Sequence, residues 1–132
     1  METFTVRTSG RTDLKDITGE VASVVSKYGV ADGACVVYVP HTTAGVTINE
    51  NADPAVREDI AATLERMVPW NGPYRHSEGN SAAHLKATLV GFSATIPVQS
   101  GRLVLGTWQG IYFCEFDGPR TRKVHVLMLA GH

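Results

Sequence analysis

The chain has 132 residues, of which 43% are hydrophobic and 19% charged, and its formal net charge is -1. That length suits one packed domain rather than two, and the composition is globular rather than disordered. Acidic and basic residues are interspersed, so the charge pattern gives no footprint for an anionic polymer or bilayer, and neither nucleic acid nor a membrane is expected as a partner.

The opening residues METFTVRTSGRTDL lack the basic segment and long apolar run of a signal peptide, and the cytoplasm is the expected compartment. Residues 3–8, TFTVRT, alternate Phe4 and Val6 with Thr and Arg, the period of a half-buried strand. Over 14–28, Leu14, Ile17, Val21, Val24, Val25 and Tyr28 recur at helical spacing, with Asp13 or Asp16 as the cap and Gly29 beyond the end. ACVVYV, 34–39, is continuously apolar, which predicts a strand in the middle of a sheet that carries His41 out at its end. GVTINE, 45–50, alternates as a short strand. Asp53 and Pro54 then start a helix, since Asp caps free amides and Pro has helical φ already. Val56, Ile60, Leu64 and Met67 form its apolar stripe, with Arg57, Glu58, Asp59, Glu65 and Arg66 expected to face water.

VPWNGPYRHSEGN, 68–80, has no period and is rich in Pro, Gly and Asn, so it reads as a long loop; Trp70, Tyr74 and His76 favour an ordered, functional one. Asn80 or Ser81 caps a helix over 82–90 that is expected to bury Leu85 and Leu89 and to end at Gly91, with His84 in its first turn off the leucine stripe. From Phe92 onward, strand segments separated by QSGR and DGPR predict a β-meander.

Three of the five histidines lie where strands, loops and helices end: His41, His76 and His84. Three imidazoles with one open position is the donor set of a catalytic zinc, provided that the fold gathers them. Thr42, Thr43 and the Gly45 amide, at an irregular turn, are suited to holding a phosphate or carboxylate. Asn49, Glu50, Asn51 and Asp53 offer hard oxygens for a Mg²⁺ that bridges a phosphate, although Asp53 also serves as the helix cap. Gln109, Glu115 and Asp117 share one strand parity, and Arg120 and Arg122 supply positive charge for an anionic substrate. Cys35 and Cys114 lie in apolar runs and are expected to be buried, structural thiols rather than nucleophiles. His125 is expected to point outward from a strand, and His132 to lie in a frayed terminus.

HTTAGVTINENADPAVREDI, YRHSEGNSAAHLKATLVG, IPVQSGRLVLGTWQGIYFCEFDGPR and the closing strand together resemble the YjbQ family, whose members carry the name secondary thiamine-phosphate synthase. The likeness runs from about Thr3 to Leu129. It implies an α+β fold of mostly antiparallel sheets with about three helices, a single domain over 1–132, and a homotrimer. The family's motif histidines fall on His41, His76 and His84, its N-E-N-A-D element on Asn49, Glu50, Asn51 and Asp53, and its G-T-W-Q and C-E elements on Gln109, Cys114 and Glu115. Many relatives carry EGPDDMPAH where this chain has EGNSAAH, so any contact made by those aspartates is absent here. The expected site has His41, Glu50, His76 and His84 in catalysis and Thr42, Thr43, Asn49, Gln109 and Arg120 on a phosphorylated substrate. The three histidines are the expected ligands of a divalent metal, zinc or magnesium. The activity implied is a slow transfer joining a pyrimidine diphosphate to a thiazole phosphate; the alternatives are a non-catalytic metabolite- or metal-binding protein and a metal-dependent hydrolase.

Overall fold

A computed structural model describes residues 1–131, so His132 lies outside the described residues. The elements run β1 (Glu2–Arg7), β2 (Asp13–Asp16), α1 (Thr18–Tyr28), β3 (Gly33–Tyr38), β4 (Ala44–Glu50), α2 (Pro54–Met67), α3 (Ser81–Val90), β5 (Ser93–Gln99), β6 (Arg102–Leu103), β7 (Gln109–Glu115) and β8 (Thr121–Ala130). One sheet has the order β1-β8-β3-β5-β6 and the other β2-β7-β4, every pairing antiparallel, which is the expected α+β class.

The smaller sheet is the middle layer. Val46, Ile111 and Phe113 on one of its faces join Val37, Val126 and Ile96 of the larger sheet and Val21 and Val25 of α1 in the main core. Leu14, Tyr112, Cys114 and Phe116 form a second core with Ala83 and Ala87 of α3, against which Ile60 and Leu64 of α2 pack half-buried. β7 is therefore covered on both faces, which explains its unbroken apolar run IYFC.

This arrangement corrects the expected meander. β5 and β6 stay in the larger sheet, β7 crosses to the smaller one, and β8 returns between β1 and β3. The expected helix over 14–28 begins only at Thr18. Leu14 and Ile17 do fit a helical stripe, but pairing of Asp13–Asp16 with β7 buries Leu14 opposite Cys114, and a strand satisfies that edge where a helix would not. Asp16 still serves the helix start, its Oδ1 accepting from the Thr18 amide at 2.9 Å. At α2 the expected cap holds, with Asp53 Oδ1 accepting from the Ala55 amide and Pro54 in the first turn.

Helix α3 departs furthest from its expected face. Its buried residues are Ala82, Ala83, Lys86 and Ala87, while Leu85 and Leu89 are 45% and 60% exposed. The cause is close approach. The Val46 amide donates to the Gly91 carbonyl at 3.1 Å, and a Cβ on Gly45 would collide with that same oxygen. A helix drawn so near a strand presents small side chains to it, and leucines have no room there. One α2 residue expected in water turns inward, Arg57, which lies over the Tyr112 ring; Glu65 faces water as expected and also pairs with the buried Lys86. Met67, expected at the end of the stripe, is 65% exposed. No helix among the described residues is long and apolar enough to cross a membrane.

Candidate functional site

At the rim of the middle layer, Pro40, His41, Thr42, Thr43, His76, Glu78, Asn80, His84, Asp117, Arg120 and Arg122 line one cleft of 460 Å³. Each supporting element delivers its residues for a local reason. β3 ends before Pro40, which cannot extend the sheet ladder, and so releases His41 to Thr43 as irregular backbone. Loop 68–80 brings His76, and the first turn of α3 brings His84. The turn between β7 and β8, which contains a cis Gly118–Pro119 bond, brings Asp117 and Arg120, and the start of β8 brings Arg122.

Behind the cleft stands a buried ion pair. The Glu115 carboxylate is fully buried and accepts from Arg122 Nε at 2.8 Å and from Nη2, from Thr8 Oγ1 at 2.8 Å, and from the Asp117 amide at 3.0 Å. Arg122 Nη2 also donates to Thr43 Oγ1 at 2.8 Å, so the pair fixes the wall of the cleft. Nearer the surface, Arg120 donates from Nε to the Asp117 carbonyl at 2.8 Å and from Nη2 to its carboxylate at 3.2 Å. Among the described residues, Nη1 of Arg120 and of Arg122 has no hydrogen-bond acceptor, which leaves donor capacity in the cleft.

His41 Nε2 accepts from the Lys123 amide at 2.8 Å. A neutral ring in that role carries its proton on Nδ1, and that N–H is a donor. Burial, then the nearby Arg122 charge, holds the His41 pKa below its ordinary value of 6.5, so the ring is predominantly neutral at pH 7. His76 and His84 meet edge to face, with centroids 5.3 Å apart. Two imidazoles on one tetrahedral zinc, with Zn–N bonds of about 2.0–2.1 Å, place their centroids roughly 5 Å apart. The spacing matches a shared ion on that criterion and is equally that of an ordinary edge-to-face ring contact. His41 does not fit as a third ligand through Nε2, which is already an acceptor, and among the described residues no three His, Cys, Asp or Glu side chains are spaced to hold a metal ion.

The cleft thus gathers His41, His76, His84, Thr42, Thr43 and Arg120 of the expected site. Glu50, Asn49 and Gln109 lie elsewhere. Along β4, Ala44 pairs with Glu115 beside the cleft, whereas Asn49 and Glu50 pair with Gly110 and Gln109 at the far end, about 20 Å away at strand rise. There Asn49 Oδ1 accepts from the Glu50 amide, Gln109 Oε1 accepts from the Gly106 amide, and the Glu50 carbonyl accepts from the Tyr112 hydroxyl. Cys114 is 1% exposed and its thiol is pushed up to about 12 by burial, which excludes a thiolate nucleophile at neutral pH; burial likewise raises Cys35 to about 11.

Sequence reasoning missed Glu78 in the cleft and gave Asn80 only a capping role. Asn80 stands at the helix cap position, yet its side chain makes no capping bond; Nδ2 donates to Asp117 Oδ2 at 2.9 Å across the cleft. The buried Oδ1 of Asn80 has no partner among the described residues. The sequence signal was present in EGN before a helix, but a cap and a cleft residue look alike in one dimension.

The fold and the site define a class: single-domain α+β proteins in which a three-stranded sheet, sandwiched between a larger sheet and two helices, carries a histidine- and arginine-lined cleft at its rim. Residues 2–131 match the model of the family described as UPF0047 protein YjbQ-like, and the chain belongs to that family. The UPF0047 protein YugU of Bacillus subtilis is 50% identical over 130 residues, 98% of each chain. UPF0047 protein MJ1081 of Methanocaldococcus jannaschii is 52% identical over 126 residues, 96% of this chain and 91% of that one. Among solved structures, an uncharacterized conserved protein of the same family from Clostridium acetobutylicum superposes with a TM-score of 0.96 at 53% identity, covering 98% of this chain and 100% of the other.

Proposed function

We propose that the cleft binds the phosphate of a phosphorylated small molecule and that its imidazoles act on that ligand. One observation carries this: Arg120, Arg122, Thr42 and His41, each with a side-chain donor that no other described residue accepts from, line a single cleft of 460 Å³. Oxyanions are held by such convergent donors, and most strongly where arginine provides them. A zinc or magnesium ion on His76 and His84 would add charge neutralisation at a phosphoryl oxygen. The slow transfer implied by the resemblance, between a pyrimidine diphosphate and a thiazole phosphate, needs that kind of stabilisation of a leaving diphosphate more than it needs a strong base. With no ion bound, His84 is the group for proton transfer, while His41 serves as a donor to the phosphate. The pairing of both arginines with carboxylates favours a second reading, a non-catalytic binding protein for the same class of ligand.

Titration calorimetry with inorganic phosphate and pyrophosphate, with and without zinc or magnesium, tests the site. Arg120→Ala is expected to weaken binding by about tenfold or more, the size of a lost hydrogen bond to a charged group. Metal-enhanced binding that disappears in His84→Ala supports the ion. If neither anion binds at millimolar concentration under any of these conditions, the phosphate reading falls.

For the assembly, a different surface supports the reading. On the outer face of the larger sheet, Tyr38, Leu127 and Leu129 are 48%, 41% and 49% exposed, and the β3–β8 register sets Val36 beside Leu127. A continuous apolar sheet face is what a subunit interface covers, and three copies related by a cyclic axis match the resemblance. Tyr38 adjoins Pro40, His41 and Thr42, so a neighbour seated there would border the cleft. Light scattering should give a trimer mass for the native chain and a smaller one for Leu127→Asp. A monomeric native chain would refute this assembly.

A further inference from the structure

His76 and His84 reach the cleft from one short stretch of chain, and the folding of that stretch gives the two rings different roles. The His76 carbonyl accepts from the Gly79 amide at 3.1 Å, closing a tight turn in which Gly79 has a φ of 75°. Glycine takes that φ without steric cost, and the turn brings Glu78 back toward the ring that precedes it. Glu78 Oε2 lies 4.0 Å from His76 Nε2. A neutral imidazole beside a carboxylate carries its proton on the nitrogen that faces it, so Nδ1 of His76 keeps its lone pair. We infer that His76 is a covalent nucleophile, its Nδ1 taking the phosphoryl group of the bound ligand to form a phosphohistidine intermediate. The inference rests on the phosphate reading of the cleft and adds the reaction performed there. An ion on His76 would occupy the same ring, so metal ligand and nucleophile are competing roles that experiment separates.

The other candidates in the cleft are engaged or need activation. His41 Nε2 already accepts from the Lys123 amide, and Thr43 Oγ1 accepts from Arg122. The Thr42 hydroxyl needs a base to take its proton, whereas an imidazole attacks with a lone pair it already has. The loop that carries His76 is held before a ligand arrives, since the Tyr74 hydroxyl donates to the Pro69 carbonyl at 2.7 Å. His84 meets His76 edge to face, with centroids 5.3 Å apart. Among the described residues its hydrogen bonds run through the backbone, from its amide to the Asn80 carbonyl and from the Thr88 hydroxyl to its carbonyl, so both ring nitrogens are open for proton transfer. The two steps then balance. His76 Nδ1 forms the N–P bond as the ester P–O bond breaks, and the leaving oxygen takes a proton from protonated His84. The phosphorylated ring retains its Nε2 proton and is cationic, and the Glu78 carboxylate offsets that charge while Arg120 and Arg122 stabilise the phosphoryl oxygens. Water, losing a proton to the now neutral His84, attacks phosphorus as the N–P bond breaks. Inorganic phosphate leaves, both rings regain their starting forms, and the net reaction is hydrolysis of a phosphate monoester.

The test uses p-nitrophenyl phosphate, whose nitrophenolate leaves readily and absorbs light, in buffer containing a chelator. Native protein is expected to release nitrophenolate and to gain the mass of one phosphoryl group, up to about one equivalent per chain. The adduct should be labile to acid and stable to alkali, as a phosphoramidate is, and peptide mass spectrometry should place it on His76. His76→Ala should lose the adduct and slow release by about a hundredfold or more, while calorimetry still detects binding of inorganic phosphate. His76→Gly should recover release when imidazole is added to the solution, a rescue that a merely structural histidine does not show. Phosphate binding with neither adduct nor rescue overturns the nucleophile and leaves the phosphate reading standing. An adduct on His84, or release that requires zinc or magnesium and stops in the chelator, overturns it as well. If inorganic phosphate does not bind the native protein, the phosphate reading and this inference fall together.

Discussion

Replacing Glu115 by alanine is expected to destabilise the fold by about 3–5 kcal/mol, the usual cost of removing one partner from a buried ion pair. Glu115 is fully buried at the end of β7, and Arg122 is only 6% exposed, so the guanidinium left behind has no water to replace the carboxylate. Thr8, which donates to the same carboxylate, and the Asp117 amide lose their acceptor too. Glu115→Gln retains the shape and part of the bonding, and its cost should be smaller. Because Arg122 also holds Thr43, phosphate affinity should fall along with stability.

The same residue sets an acid limit. Burial acts to raise the Glu115 pKa, but the hydrogen bonds from Arg122, the Asp117 amide and Thr8 outweigh it and hold the carboxyl below its ordinary value of 4.5. A carboxyl depressed in the native state binds its proton first in the unfolded chain. Its stabilisation is therefore complete above pH 4.5 and is lost as pH falls below that value toward the native pKa. Urea unfolding at pH 7 and at a series of acid pH values checks both claims. Glu115→Ala should start from a lower stability and lose less of it on acidification than the native protein. A variant within about 1 kcal/mol of native at pH 7 would show that the pair contributes no more than an exposed one.

Breaking the Glu65–Lys86 pair should give the next largest effect, and an asymmetric one. Lys86 Nζ lies 2.5 Å from Glu65 Oε2, with the lysine side chain 1% exposed and the glutamate side chain 46% exposed. The hydrogen bond from Lys86 is the main cause of the lowered Glu65 pKa. Glu65→Gln strands most of a buried ammonium, and about 2 kcal/mol is expected, below the fully buried case because water screens the glutamate side. Lys86→Met should be nearly neutral, since an apolar side chain of similar length suits a face otherwise made of alanines. The double variant should be no less stable than Lys86→Met alone. The denaturation midpoint at constant slope reads all three. If Lys86→Met loses as much as Glu65→Gln, the ammonium has a role beyond the pair. The pair ties α2 to α3, three residues before loop 68–80 leaves α2, and Trp70 of that loop is held under the Arg11 guanidinium at 4.2 Å. Loosening it should therefore be felt at His76.

Several elements were readable because their cause is local. Asp53 followed by Pro54 starts α2 by capping and by φ alone, and Gly91 ends α3 as expected. The alternation of Phe4 and Val6 and the run ACVVYV placed β1 and β3 within about two residues of their observed ends. His41, His76 and His84 stood out since each sits where regular structure gives way, and all three line the one cleft. Local signals failed where two periods coexist. Leu14 and Ile17 satisfy a helical spacing that continues into α1, and only the edge of β7 makes Asp13–Asp16 a strand. In α3 the leucines form the more hydrophobic stripe, yet the alanine face is buried, because the distance to β4 admits only small side chains and one neutralised lysine.

For the site, the sequence by itself determined the donor types and the points at which backbone leaves regular structure: imidazoles, hydroxyls and guanidiniums at element ends. Which of these share a cleft was decided by tertiary structure. β4 and β7 are polar at both ends, with Thr43 and Glu115 at one and Asn49, Glu50 and Gln109 at the other, and nothing local distinguishes the two. The choice depends on where α3 packs. Its approach at Gly45 and Gly91 sets His84 and the preceding loop beside the Ala44–Glu115 end, so the histidines meet Thr43 and Arg122 there and never reach Glu50. Strand register and helix approach depend on contacts between residues far apart in the chain, and a single sequence carries no local record of them.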